Sequence, residues 1–120
     1  MQTGEEKQRE KRDSVYFKVL LGDSRKRLAE DVRETLVYKL WRDKCWGAGH
    51  HGYSNLTRKG FPSHVRGKFV EHVLDSLIKD RIIISRPSGH DYQCFLNREK
   101  LAEIDSIIKK YLKRKGIGTL

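Results

Sequence analysis

The sequence predicts a small α+β domain in which three helices precede a β-hairpin and a further helix follows. Three observations carry this: apolar residues recur at helical spacing in three stretches, two β-rich runs flank a short Gly-containing loop, and 120 residues suit one domain.

Residues 1–14 hold four acids, four bases and no apolar side chain after Met1, so they are expected to form a disordered charged tail. Val15 to Leu21 is rich in β-branched and aromatic residues and suits a short strand, with an extra helical turn as the alternative. Asp23 or Ser24 can cap a first helix, in which Leu28, Ala29, Val32, Leu36, Val37 and Leu40 share a stripe until Gly47 and Gly49 stop it. Residues 47–52 read as a turn-rich loop, and Tyr53 to Gly60 as one or two helical turns capped by Ser54 and closed by Gly60.

Pro62 opens a longer helix expected to run to Asp80 or Arg81. Phe69, Val70, Val73, Leu74, Leu77 and Ile78 form its core stripe, while His64, Lys68, Glu71, Asp75 and Lys79 face solvent or a partner. Ile82–Pro87 and Tyr92–Asn97 then make an antiparallel hairpin through Ser88-Gly89-His90-Asp91. Asn97 caps the last helix, whose Leu101, Ile104, Ile108, Tyr111 and Leu112 share a face before Gly116 and Gly118 end it.

Helix, short helix, longer helix and hairpin is the element order of a winged helix-turn-helix, a three-helix core plus β-hairpin wing, here with an added C-terminal helix. The expected organisation is a tail at 1–14, a winged-helix domain at 15–97, a helix at 98–113 packed on it or dimerising, and a loose basic tail at 114–120. The motifs Trp46-Gly47-Ala48-Gly49-His50, Leu56, Gly60-Phe61-Pro62-Ser63-His64, Arg86-Pro87 and Tyr92 through Leu96-Asn97 follow one another along the chain. In these the sequence resembles a winged-helix type of small, poorly characterised archaeal proteins. The resemblance spans residues 15 to 112 and is most specific at Gly60–His64 and Leu96-Asn97. It implies the fold and an archaeal source. It implies no activity, because fold-level analogy does not carry function.

Charge adds a class of partner. The chain carries 26 Lys plus Arg against 16 Asp plus Glu, a formal charge of +10. Residues 15–60 hold ten bases against five acids and 98–120 seven against three, whereas 61–97 hold five against four. Such an excess on a small domain is the electrostatic footprint of a polyanion binder, and ribosome partners or plain solubility also produce it. Apolar runs such as Ile82–Ile84 fall far short of the ~20 residues that cross a bilayer, and the first residues lack the apolar stretch of a signal peptide, so no membrane partner and a cytoplasmic location are expected. Two Cys without a C-x-x-C spacing fit free thiols in a reducing compartment.

The candidate nucleic-acid surface is Arg58, Lys59, Ser63, His64, Arg66 and Lys68, joined by Arg81, Arg86 and His90 of the hairpin. Arg58, Lys59 and Lys68 would grip phosphates, and Ser63 and His64 would reach base edges. Arg66 points toward the core side of its helix, and Glu71 and Asp75 should lie beyond the groove. Against this stands an ordinary solvated helix face, with Ser63 as a cap. Cys45, His50, His51, His90 and Cys94 have residue types suited to zinc but spacings that do not point to it, so no metal and no cofactor is expected. No phosphate-binding loop, nucleophile elbow or acidic cluster suggests an enzyme.

Double-stranded DNA is therefore the first expected partner, as for a small transcription regulator or chromatin-associated factor. An RNA- or ribosome-associated module remains open and would be favoured by exposed Tyr53, Trp46 or Tyr92. So does a protein-interaction domain working through an exposed patch at Ile107, Tyr111 and Leu112. Leu101, Ile104, Ile108 and Tyr111, at 3-4-3 spacing, could also pair two copies as a homodimer.

Overall fold

Helix ends and strand pairs place the elements more tightly than periodicity does. The computed structural model describes residues 25–62, 65 and 67–116. The expected tail at 1–14, the strand at 15–21 and the last four residues lie outside the described residues, as do Ser63, His64 and Arg66. The chain divides into two units, 1–30 and 31–120, and the contacts below belong to the second.

The first helix, α1, covers 25–42. Val32, Leu36, Val37 and Leu40 are buried from it at the expected spacing. It ends before the glycines expected to stop it: Lys44 adopts a left-handed φ of 56°, and the N–H of Cys45 donates to the Leu40 carbonyl at 2.9 Å. That is a Schellman closure, in which a residue past the helix end turns left-handed so that orphan carbonyls gain donors. Gly47 and Gly49 serve the following loop instead.

That loop holds a strand the sequence analysis missed. β1, His51–Gly52, pairs antiparallel with a later strand, His51 opposite Cys94 and Gly52 opposite Gln93. Two residues within a Gly/His-rich stretch carry no alternating apolar pattern, so only the pairing reveals it. α2, Tyr53–Arg58, follows directly, with Gly52 rather than Ser54 as its N-cap.

α3 is Lys68–Lys79, starting six residues later than Pro62. Gly67, its N-cap, has φ +84°, a conformation that L side chains rarely adopt, so the chain enters the helix there. Val70, Val73, Leu74 and Leu77 are buried, and Phe69 and Ile78 sit at the margins of the stripe. Its end repeats that of α1: Arg81 is left-handed at φ 61°, and Ile82 N–H donates to the Leu77 carbonyl at 3.0 Å.

β2, Ile83–Ser88, and β3, Asp91–Leu96, pair from Ile83 opposite Leu96 to Ser88 opposite Asp91. The expected four-residue loop is thus shortened to Gly89-His90, with Gly89 at φ 60°. The sheet order is β1-β3-β2. A 3₁₀ turn, Arg98–Lys100, capped by Asn97, leads into α4, Leu101–Lys115, which closes on left-handed Gly116.

The molecule is therefore α+β, with four helices and a three-stranded antiparallel sheet among the described residues. Its core joins α1, α3 and α4 to Ile82, Ile83, Cys94 and Leu96, each large side chain contributing about 1.5–3 kcal/mol by leaving water. On α4, Ile104 and Ile108 are 1% and 3% exposed and belong to this core, so they do not form an open seam; Leu101, at 58%, is the one exposed member of the set expected to dimerise. Tyr111 stacks on Tyr38 with ring centroids 4.3 Å apart, and Arg114 pairs with Asp31 at 2.7 Å and Glu34 at 3.1 Å. Ile107 is also buried, which removes the centre of the exposed patch expected for a protein partner. No helix among the described residues is long and apolar enough to cross a membrane.

Candidate nucleic-acid interface

α2 is short and needs outside donors and acceptors to hold its start. Asp91, at the hairpin turn, provides one: both its carboxylate oxygens lie 3.4 Å from the Ser54 amide. A Cβ on Gly52 would come within 2.9 Å of Asp91 Oδ2, so glycine permits this approach. The Tyr92 backbone amide, then the hydroxyl and amide of Ser54 and the Arg58 charge, hold the Asp91 carboxyl below its ordinary range.

Tyr53 and Tyr92 meet edge to face at 6.5 Å. The Tyr53 hydroxyl donates to Asp75 of α3 at 2.7 Å, and burial followed by that bond pushes its pKa upward. Tyr92 itself is 50% exposed. Strand alternation puts Tyr92 with Cys94 and Leu96 on the face toward the helices, while Arg86, opposite Gln93, lies on the other face. There Arg86 donates to Gln93 Oε1 at 3.2 Å and covers the Phe95 ring at 5.0 Å.

The predicted site residues consequently fall into groups. Arg58 and Lys59 at the end of α2 and Lys68 at the start of α3 are all exposed and bracket one connection. His90 is exposed at the hairpin turn. Arg81 lies past the far end of α3, whose 12 residues rise about 18 Å, so it does not share a contact point with Lys68. The solvent side of α3 is not basic: Lys68 and Lys79 are offset by Asp75 and Asp80, with half-buried Glu71 in the first turn. Because the helix starts at Lys68, Glu71 stands in its first turn.

A second basic feature escaped the sequence analysis. A recess of about 240 Å³ is lined by Lys39, Arg42 and Asp43 from the end of α1, His51 of β1, and Asn55, Leu56, Lys59 and Gly60 around α2. Lys39 donates to the Lys59 carbonyl and sits 4.3 Å over the Phe61 ring. Burial, then the Arg42 charge, pushes its ammonium below the ordinary lysine value. Asp43 accepts from Arg42 Nε at 3.1 Å and contacts His51 Nε2 at 2.6 Å, and the Arg42 and then His51 bonds hold its carboxyl low. Lys39 and Lys59 are 20 residues apart, so no local pattern could have joined them.

No family model, no curated protein and no solved structure matches the chain. The site therefore rests on its own geometry. Among the described residues no three His, Cys, Asp or Glu side chains group as metal ligands would. His51 is occupied by Asp43, while Cys45 and Cys94 are buried thiols.

Proposed function

We propose that this chain is a winged-helix nucleic-acid-binding module whose first partner is duplex DNA, of the kind found in small transcription regulators and chromatin-associated factors. The observation that carries the reading is the exposed Arg58, Lys59 and Lys68 around the α2 to α3 connection, in a domain whose hairpin also receives a strand from between its first two helices. That strand order is compatible with a winged-helix layout, and the succession of three helices before the hairpin supports the reading.

Contact runs through the connection and the hairpin turn. Glu71 and Asp75 keep the middle of α3 from lying close along a phosphate strand, because like charges repel there. The test is binding of the purified chain to duplex DNA, structured RNA and single strands across a salt series. Replacing Lys59 and Lys68 with Ala should lower the salt slope by about 2 for every duplex sequence, since each phosphate contact releases counterions. An unchanged slope sinks the reading. A second reading, RNA binding, is favoured by one observation: Tyr92 presents an exposed ring on which an unpaired base can stack. Tighter binding to RNA than to duplex DNA, lost in Tyr92→Ala, would decide for it.

A further inference from the structure

We infer that the recess between the end of α1, β1 and α2 receives a phosphate monoester, either the terminal phosphate of a nucleic-acid strand or that of a mononucleotide. The strand form of this inference rests on the nucleic-acid reading above. Three basic side chains, Lys39, Arg42 and Lys59, line the recess against one carboxylate, Asp43. Two net positive charges complement a monoester, which approaches a dianion above pH ~6 and offers three strong acceptor oxygens. An internal phosphodiester offers one charge and two unbridged oxygens, so a strand terminus fits better.

Asp43 also faces this space and by itself would repel an anion. Its oxygens are already engaged by Arg42 at 3.1 and 3.4 Å and by His51 at 2.6 Å, which spends its charge on aligning those two groups. Lys39 is fixed by the Lys59 carbonyl and the Phe61 ring, and an ammonium with three donors keeps further N–H groups for a ligand. Gly60 maintains this arrangement, because a Cβ there would come within 2.8 Å of Lys39 Nζ. The cavity, at about 240 Å³, exceeds the ~10–15 Å³ needed by one water more than tenfold, which leaves room for a phosphate and the sugar carbon attached to it. Burial first, and the Arg42 charge second, lower the proton affinity of Lys39, and an anion in the recess would offset the second of these.

The experiment uses the full chain with short strands and duplexes that carry a phosphate at the 5′ end, at the 3′ end or at neither, and with AMP against adenosine. Binding is read by fluorescence anisotropy and by NMR shifts of the His51 ring. A terminal phosphate should raise affinity about tenfold, and AMP but not adenosine should shift His51. Arg42→Gln and Lys39→Met should each reduce the preference to less than twofold, while affinity for unphosphorylated strands, carried by Arg58, Lys59 and Lys68, falls by a smaller factor than affinity for phosphorylated ones. Arg42 is exposed, so its variant keeps the fold if Lys39→Met does not. Equal affinity for phosphorylated and unphosphorylated ends, or a preference that survives Arg42→Gln, overturns the inference and leaves the nucleic-acid reading intact. AMP and terminal-phosphate binding without any affinity for unphosphorylated strands supports the recess and overturns the nucleic-acid reading.

Discussion

Asn97 joins three parts of the fold, and its removal should be felt across the domain. Its side chain donates to the Arg81 carbonyl at 2.7 Å and accepts from the Glu99 amide at 3.1 Å, while its own amide donates to Ile82 at 3.0 Å. Asn97→Ala loses the two side-chain bonds, each worth about 0.5–1.5 kcal/mol, and leaves the Arg81 carbonyl short of a donor in a partly buried turn, which costs about 1 kcal/mol more, the low end of the penalty for an unpaired group. A total of about 2–4 kcal/mol follows. Asn97→Ser retains the cap on Glu99 but is too short to reach Arg81, so it should recover about 1 kcal/mol of that loss. Urea unfolding followed by circular dichroism reads both, with the Ala midpoint lower by about 1–2 M. An Ala variant within 0.5 kcal/mol of the parent would refute the reasoning, and a Ser variant as damaged as Ala would remove the cap from it.

Lys44→Gly and Arg81→Gly should each raise the unfolding free energy by about 0.5–1 kcal/mol, because glycine occupies the left-handed positions at φ 56° and 61° without steric cost; a loss at either site would mean the side chain contributes more than the turn demands. Ile108→Ala should cost about 2–4 kcal/mol and Leu101→Ala less than 0.5 kcal/mol, and the opposite order in chemical denaturation would place the α4 surface elsewhere. Cys45 and Cys94 should resist alkylation until the chain unfolds. Burial pushes the Cys94 thiol up to about 12, so its contribution to stability is complete below the unfolded thiol value near 9 and declines as pH rises from there toward 12; rapid native labelling at pH 8 would contradict this. Asp91, held below its ordinary range, stabilises above the unfolded carboxylate value and loses that contribution as pH falls through the depressed one, so Asp91→Asn should flatten the acid limb of the stability profile.

What the sequence made legible followed from repetition. The stripes Val32-Leu36-Val37-Leu40 and Val70-Val73-Leu74-Leu77 are buried as their spacing requires, and the two hairpin strands lie within a residue or so of their expected positions. Element ends were less legible because their usual signal was missing. Glycine is the common left-handed terminator, yet Lys44 and Arg81 take that role, and Cys45 and Ile82 contribute the buried side chain that accompanies it. β1 was invisible because two residues have no periodicity, and Ser54 was a plausible cap until Asp91, 37 residues away, was seen to supply the acceptor. The same holds for function. Exposed bases near α2 were readable from local sequence, whereas the recess needs side chains from α1, β1 and α2 that only folding assembles.

The distribution of charge narrows how a polyanion can approach. A net +10 does not mean attraction everywhere, because screening limits each exposed charge to about 10 Å at 0.1 M salt, so local balance decides. Around the end of α1 and along α2, Lys39, Arg42, Lys44, Arg58 and Lys59 face two carboxylates, Asp43 and Asp91; along α3 and its exit, Lys68, Lys79 and Arg81 are balanced by Glu71, Asp75 and Asp80. Asp75 cannot be relieved by turning away, since the Tyr53 hydroxyl holds it at 2.7 Å. A helix read as the groove-reading element by element order alone is therefore electrostatically the weaker surface, and α2 with its flanking recess the stronger one. Shape and charge agree only where α2 meets α3, which is why Arg58, Lys59 and Lys68 carry the proposed contact and the body of α3 does not.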